Sequence, residues 1–145
     1  MRRSIAAGNW KMNGLRENFN EILLIDAASE NVNCDVILCV PDTLIREISE
    51  KTKNIFSGGQ NCHIEASGAF TGDISAEMIK DAGASHVIVG HSERRVNYNE
   101  NNNLIKSKAQ IALNQGLKAL ICIAETLKER ETGITLAIIK KQLLE

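Results

Sequence analysis

The most constraining feature of this sequence is a fivefold alternation between short apolar runs and longer amphipathic stretches. The apolar runs are short and rich in β-branched residues, as is typical of buried parallel strands. They occupy residues 4–8, 35–40, 54–59, 86–90 and 118–124. Five consecutive βα units predict an α/β protein with a parallel sheet, in a single domain over residues 1–145 with no internal boundary.

The stretches between the runs carry helix-like periodicity and helix boundary signals. They predict helices over residues 17–30, 42–52, 75–84, 103–116 and 126–145. Asp42 is the predicted N-cap of the second helix, and Gly116 is the expected residue beyond the end of the fourth. The polar segment 97–103 is interpreted as a loop.

Charge and composition exclude several functional classes. The 17 basic and 18 acidic residues give a net charge of −1 without a basic stripe, so neither nucleic acid nor a membrane surface is an expected partner. No segment approaches the roughly 20 apolar residues of a membrane span, and the start lacks a signal peptide's apolar stretch. The four cysteines form no CxxC pair. We therefore expect a cytoplasmic protein with free thiols and no metal site.

Polar side chains follow several of the predicted strands, at the edge where parallel βα proteins bind ligands. Asn9 and Lys11 follow the first strand, Gln60 and Asn61 the third, and His91 the fourth. These groups suit a small polar or anionic ligand. Lys11 could stabilise developing negative charge, although a lone lysine is also typical of a solvated surface.

His91 stands at the end of the fourth apolar run, immediately before a helix-start signal. A helix N-terminus disfavours imidazolium, so a neutral ring could donate a hydrogen bond to a substrate oxygen; the alternative is a packing or capping residue. Glu93 is equally a first-turn helix acid or an active-site carboxylate. Glu125, after the fifth run, is either a candidate base or a helix acid. Arg94 and Arg95 are interpreted as ion-pairing surface residues.

The segment 60–73 is the longest predicted loop and is rich in Gly, Ser and Thr. A long loop in a compact α/β domain is usually functional. Its tip holds Phe70 and Thr71 between Gly68 and Gly72. Exposure of Phe70 to water is unfavourable, so the loop predicts a contact with another chain.

Taken together, these segments resemble the triosephosphate isomerase family. "GNWKMN" (8–13), "GQN" (59–61), "GAFTGDIS" (68–75), "GHSERR" (90–95) and "CIAE" (122–125) occur in that family's order and spacing. The resemblance covers the whole chain. It implies a (β/α)8 barrel, a homodimer, and interconversion of dihydroxyacetone phosphate and glyceraldehyde 3-phosphate in glycolysis and gluconeogenesis, without a cofactor.

The resemblance also implies roles for individual residues. Asn9 and Lys11 would bind the substrate, and Lys11 would meet its charge. His91 would be the neutral electrophile that polarises the carbonyl and moves protons between the two oxygens of an enediolate, a role already known for this family. Glu93 would be a carboxylate near the lysine. Thr71, next to Phe70, would be the tip of a dimer-interface loop that reaches into the partner subunit.

The sequence also departs from the family's pattern. Ala124 stands where glycine is usual, and Asp73 where many members have glutamate. Family members run to about 250 residues in eight βα units. Their catalytic glutamate follows the sixth strand, and their lid and phosphate-binding loops come later. We therefore expect a truncated or split form, a partial barrel of about five βα units with exposed edges, that is inactive alone. Glu125 would lie on the wrong strand to replace the base.

Two other hypotheses fit the same pattern of elements. Five βα units in 145 residues also suit a flavodoxin-like binding module, which would carry acidic clusters at strand ends or a hydroxyl-rich loop after the first strand. Alternatively, the chain is a half-barrel that complements a second chain.

Overall fold

The computed structural model describes residues 3–144, in which five parallel strands form one sheet. The strands are β1 (Ile5–Asn9), β2 (Asp35–Cys39), β3 (Ile55–Gly59), β4 (His86–Val89) and β5 (Lys118–Ile121). They pair in chain order, β1-β2-β3-β4-β5. This order is that of a partial TIM barrel and confirms the predicted fold. A flavodoxin-like sheet would place the second strand outside the first, so that alternative is wrong.

Seven α-helices connect and follow the strands within the described residues. They are α1 (Phe19–Ala28), α2 (Asp42–Lys51), α3 (Ala76–Asp81), α4 (Ser92–Asn97), α5 (Asn102–Asn114), α6 (Leu127–Glu131) and α7 (Thr135–Leu144). A 3-10 turn over Arg16–Asn18 leads into α1. Among residues 3–144, no helix has the length and apolarity that crossing a membrane requires.

Several helix boundaries differ from the sequence predictions. Helices α1 and α3 are shorter than predicted at both ends, and three further differences have a structural cause. Pro41 is the N-cap of α2 and Asp42 is its first helical residue, since Pro41 has the extended backbone of a capping position. The segment 97–103 is only partly a loop, because the Asn101 side chain accepts a bond from Leu104 N–H and starts α5 at residue 102. The stretch 126–145 contains two helices, separated where Gly133 adopts φ +73°.

The main core lies between the sheet and its helices. Its fully buried side chains include Ile22 in α1, Val40 just after β2, Ile45 and Ile48 in α2, Ile79 in α3, Val87 and Val89 in β4 and Ala112 in α5. A smaller cluster lies on another part of the sheet and joins Ile37, Cys39 and Ile88 to the partly buried Leu120 and Cys122. The two edge strands are the exposed ones: Ile5 is 55% accessible and Ile121 52%. Within the described residues, β1 and β5 each pair on one side only.

One carboxylate fastens α1 to the start of β3. Asp26 Oδ1 accepts bonds from the backbone N–H groups of residues 53, 54 and 55, at 3.0, 2.7 and 3.2 Å. The Asn54 side chain donates in turn to the Asp26 carbonyl at 3.0 Å. These bonds satisfy the amides of the two residues before β3 and of its first residue, and so fix where β3 begins.

Candidate active site

Four residues predicted to form a site line one cleft at the carboxyl-terminal edge of the sheet. They are Asn9, Lys11, His91 and Glu93, and the cleft has a volume of about 650 Å³. Asn9 ends β1, while His91 and Glu93 follow β4. Since parallel strands end at the same edge, residues some 80 positions apart in the chain come together here.

The backbone of Lys11 is held in a conformation that is uncommon for a non-glycine residue, with φ +55°. Its N–H donates to Asn9 Oδ1 at 2.8 Å, and its carbonyl accepts from Gln60 Nε2 at 2.8 Å. Gln60 Nε2 also lies 3.2 Å from the Cys39 carbonyl. Such a conformation costs about 1–3 kcal/mol, and the bonds of Lys11 to Asn9 and Gln60 hold it in place.

The ammonium of Lys11 is directed across the cleft to α4. Lys11 Nζ donates to Glu93 Oε1 at 2.6 Å, and both side chains are half exposed. This bond from Lys11 lowers the pKa of the Glu93 carboxyl. Glu93 therefore combines the two roles left open by the sequence: it lies in the first turn of α4, and its carboxylate reaches into the cleft.

His91 is the N-cap of α4, and its ring is anchored through one nitrogen. Nδ1 accepts from the Glu93 backbone N–H at 3.3 Å, while Glu93 Oε2 lies 3.4 Å from the same atom. The contact with the Glu93 N–H requires an unprotonated Nδ1, whereas the contact with the carboxylate would favour a protonated one. The amide is fixed by the helix, whereas the carboxylate is already engaged by Lys11 through its other oxygen. We therefore assign a bare Nδ1 and a proton on Nε2, which leaves Nε2–H as a donor.

Glu125 lies outside the cleft. Its carboxylate accepts from Arg130 at 2.8 Å, just before the capping box that opens α6. Its own backbone amide and Arg130 both lower the pKa of this carboxyl. Glu125 is therefore an ion-paired acid next to a helix start.

The two arginines of the sequence motif are not equivalent. Arg94 forms an ion pair as predicted, but its partner Glu100 is buried. Arg95 is partly buried. Among the described residues, none of its hydrogen bonds goes to a carboxylate. It donates to Gly90 O at 2.9 Å, Asn102 Oδ1 at 2.7 Å and Cys122 O at 3.2 Å. The prediction of a surface ion pair is therefore wrong for Arg95.

A buried ion pair behind the cleft was missed by the sequence reasoning. Lys108 Nζ donates to Glu100 Oε1 at 2.6 Å and to Asn61 Oδ1 at 2.8 Å. Lys108 lies in α5 and Glu100 in the turn before that helix, eight residues apart. Nothing in a helical lysine or in an acid within a polar segment indicates burial, so no sequence signal was available.

The loop 60–73 is folded on itself. The Phe70 ring lies 4.2 Å from the His63 ring and stays 41% exposed. His63 Nδ1 accepts from Glu65 N–H at 3.0 Å, and Thr71 is exposed. The base of the loop, including Gln60, Asn61 and Asp73, lines the cleft. Contact of this tip with another chain stays a prediction.

No metal-binding cluster is evident in the part of the chain that the structure describes: residues 3–144 contain no group of three His, Cys, Asp or Glu side chains that could hold an ion. The side chains that line the cleft include the Lys11 ammonium and the His91 ring. Such an arrangement suits an oxyanion or a carbonyl oxygen that gains negative charge.

Comparison with known proteins gives one consistent family. The family model described as triosephosphate isomerase matches residues 4–145. The chain is 46% identical over 143 residues to the triosephosphate isomerase of a Ruegeria species, covering 99% of this chain and 58% of that protein. It is 49% identical over 146 residues to that of Bartonella bacilliformis, covering 97% of this chain and 58% of that protein.

A solved structure agrees with these sequence matches. The crystal structure of triosephosphate isomerase from Bartonella henselae superposes with a TM-score of 0.93 at 47% identity, covering 98% of this chain and 60% of that chain. The chain thus spans less than two thirds of the length of the curated relatives it matches.

Proposed function

The chain belongs to the triosephosphate isomerase family, and we propose that it carries the electrophilic, substrate-binding part of that family's active site. The substrate is then a phosphorylated triose, and the reaction interconverts dihydroxyacetone phosphate and glyceraldehyde 3-phosphate. The proposal rests on one observation: Lys11, Glu93 and His91 line the same cleft and contact one another there.

Lys11 would attract the anionic substrate and stabilise negative charge on its oxygens. Its side chain is 51% exposed and its ammonium is held 2.6 Å from Glu93, so the charge is both accessible and directed. Asn9 would act by holding the Lys11 N–H and hence the backbone from which the ammonium projects.

His91 would act through Nε2–H. The carbonyl oxygen of the substrate becomes negative as a proton leaves the neighbouring carbon, and a neutral imidazole can donate to that oxygen throughout. The same nitrogen could then move a proton between the two oxygens of the enediolate. The Glu93 N–H bond to Nδ1 supports this assignment because it leaves Nε2 as the protonated nitrogen.

Removal of the carbon-bound proton requires a base within hydrogen-bond reach of the substrate. Glu93 is engaged by Lys11, and Glu125 is engaged by Arg130 outside the cleft. We propose that the base belongs to the part of the relatives that this chain does not match. On this proposal the 145 residues alone bind and polarise the substrate without turning it over at enzymatic rates.

The exposed tip of the loop 60–73 supports a homodimer as the assembly. Phe70 and Thr71 lie at the tip of this loop, and the Phe70 ring packs against the His63 ring. The base of the same loop borders the cleft. A second copy would therefore lie close to the site.

A glycolytic role also implies a cytoplasmic location.

The proposal is tested by joining this chain to the remaining carboxyl-terminal segment of the Bartonella henselae relative and measuring kcat and KM. Lys11→Met and His91→Gln should each lower kcat/KM by about 100-fold or more, since each removes a donor to developing charge. Lys128→Met, a change of an exposed lysine of α6 outside the cleft, is the matched control and should leave kcat/KM unchanged. Full activity of the Lys11→Met variant would contradict the proposal.

A further inference from the structure

We propose that Arg95 is a positioning residue that fixes the imidazole of His91 in the cleft; its importance for catalysis rests on the function proposed above. The Arg95 guanidinium is partly buried and donates three hydrogen bonds. One of them goes to the carbonyl of Gly90, the residue directly before His91.

The bond to Gly90 acts on the peptide unit that carries His91. A peptide bond is planar, so holding the Gly90 carbonyl at 2.9 Å from Arg95 Nε also fixes the direction of the His91 N–H and Cα. Gly90 has φ +72°, and a Cβ there would lie 2.9 Å from Ile105 Cγ2. The peptide is therefore confined by packing against Ile105 and by the guanidinium.

The other two bonds hold the guanidinium itself in place. Nη1 donates to Asn102 Oδ1 at the start of α5, and Nη2 donates to the Cys122 carbonyl just beyond β5. Arg95 thus joins the ends of β4 and β5 to α5. The planar, forked guanidinium can donate in three directions at once, which a lysine ammonium on a flexible stem cannot reproduce.

The helix that orients His91 is short. Helix α4 has six residues, and its N-cap contact from Glu93 N–H to His91 Nδ1 is 3.3 Å long. Arg95 lies in that helix and reaches back to the carbonyl five positions earlier. The guanidinium therefore closes the turn on which the position of the imidazole depends.

The test is the protonation pattern of the His91 ring, read from two-bond ¹H–¹⁵N spectra of the ¹⁵N-labelled 145-residue chain. His91→Gln assigns its signals among the three histidines. We expect a bare Nδ1 and a protonated Nε2 in the parent chain. Arg95→Lys should shift Nδ1 toward the value of a ring that averages both tautomers. The signals of His63 and His86 should stay in place, and Arg46→Lys, at an exposed arginine of α2, should change nothing.

A merely structural role gives a different result. Arg95→Lys would then lower the melting temperature and leave the His91 nitrogen shifts unchanged, which would overturn the proposal. If Arg95→Lys does not fold, Asn102→Ala removes one anchor of the guanidinium and should produce a smaller shift in the same direction; no shift there would also overturn it. Neither readout uses turnover, so a failure of the proposed enzyme function would be seen separately.

Discussion

Replacing Glu100 by glutamine should destabilise the fold by about 3 kcal/mol, because the change leaves two cations facing a neutral group in the interior. Only 2% of the Glu100 side chain is accessible, and 6% of that of Lys108. Glu100 Oε1 accepts from Lys108 Nζ and Arg94 Nε, each at 2.6 Å. Glu100 Oε2 has no hydrogen-bond partner among the described residues.

The size of this loss in unfolding free energy depends on which polar contacts Lys108 and Arg94 keep after the substitution. Breaking a buried ion pair by removing one partner costs about 3–5 kcal/mol. Lys108 keeps its 2.8 Å bond to Asn61, and Arg94 keeps 27% of its side chain in water, so the lower end applies. For a chain of this length, about 3 kcal/mol lowers the melting temperature by roughly 9 °C.

Urea unfolding followed by circular dichroism measures this loss as a shift in midpoint at unchanged slope. Glu50→Gln, at an exposed position of α2, is the matched control and should leave the midpoint in place. The double variant Glu100→Leu, Lys108→Met removes charge from both partners and should recover part of the loss. Equal unfolding midpoints for Glu100→Gln and Glu50→Gln would show that the buried Glu100 carboxylate contributes no stability.

The same cluster makes stability sensitive to acid. Burial alone would raise the pKa of the Glu100 carboxyl, but the bonds from Lys108 and Arg94 outweigh it and the pKa is lowered. A carboxyl with a lowered folded-state pKa contributes stability above the ordinary glutamate value and loses it as the pH falls through the lowered one. Glu100→Gln should therefore show a shallower decline of stability below the ordinary glutamate pKa than the parent chain.

Three further predictions concern positions away from the cluster. Asp26→Ala should cost about 2 kcal/mol in urea unfolding, since three backbone N–H groups of residues 53–55 lose a charged acceptor, and Asp26→Asn should cost less. Gly90→Ala should cost roughly 2 kcal/mol from its positive φ and its contact with Ile105, and an unchanged melting temperature would contradict that backbone geometry. Cys39 should resist iodoacetamide at neutral pH, detected by mass spectrometry, and react in urea, because burial raises the pKa of its thiol to about 12.

Much of the fold could be predicted because the relevant signals are local. Each short apolar run of five to seven residues is followed by a helix signal, and right-handed βα units allow few topologies. The site followed from the same rule, since Lys11 and His91 both come directly after strands that end at one edge.

The rest depends on side-chain contacts that sequence periodicity does not encode. Gln60 holds the Lys11 carbonyl across 49 residues, and Lys108 reaches Asn61 across 47. The destination of the Arg95 guanidinium depends on how α4 folds back onto Gly90. A charged residue looks the same in the sequence whether it is solvated or paired in the interior, so the partners of Lys108 and Arg95 could not be predicted. The position of Gln60 at the ligand-binding edge was predictable, but its bond to the Lys11 carbonyl was not.

We propose that this chain holds the electrophiles of an isomerase site and that the base belongs to the part of the relatives that the chain does not match. The most direct test is triosephosphate isomerase activity of the purified 145-residue chain, before and after addition of the remaining carboxyl-terminal segment of the Bartonella henselae relative. We expect no activity above background for the chain alone and recovery on addition, with the recovery lost in Lys11→Met. Robust activity of the chain alone would show that its base lies within these residues and would overturn the proposed division of the site.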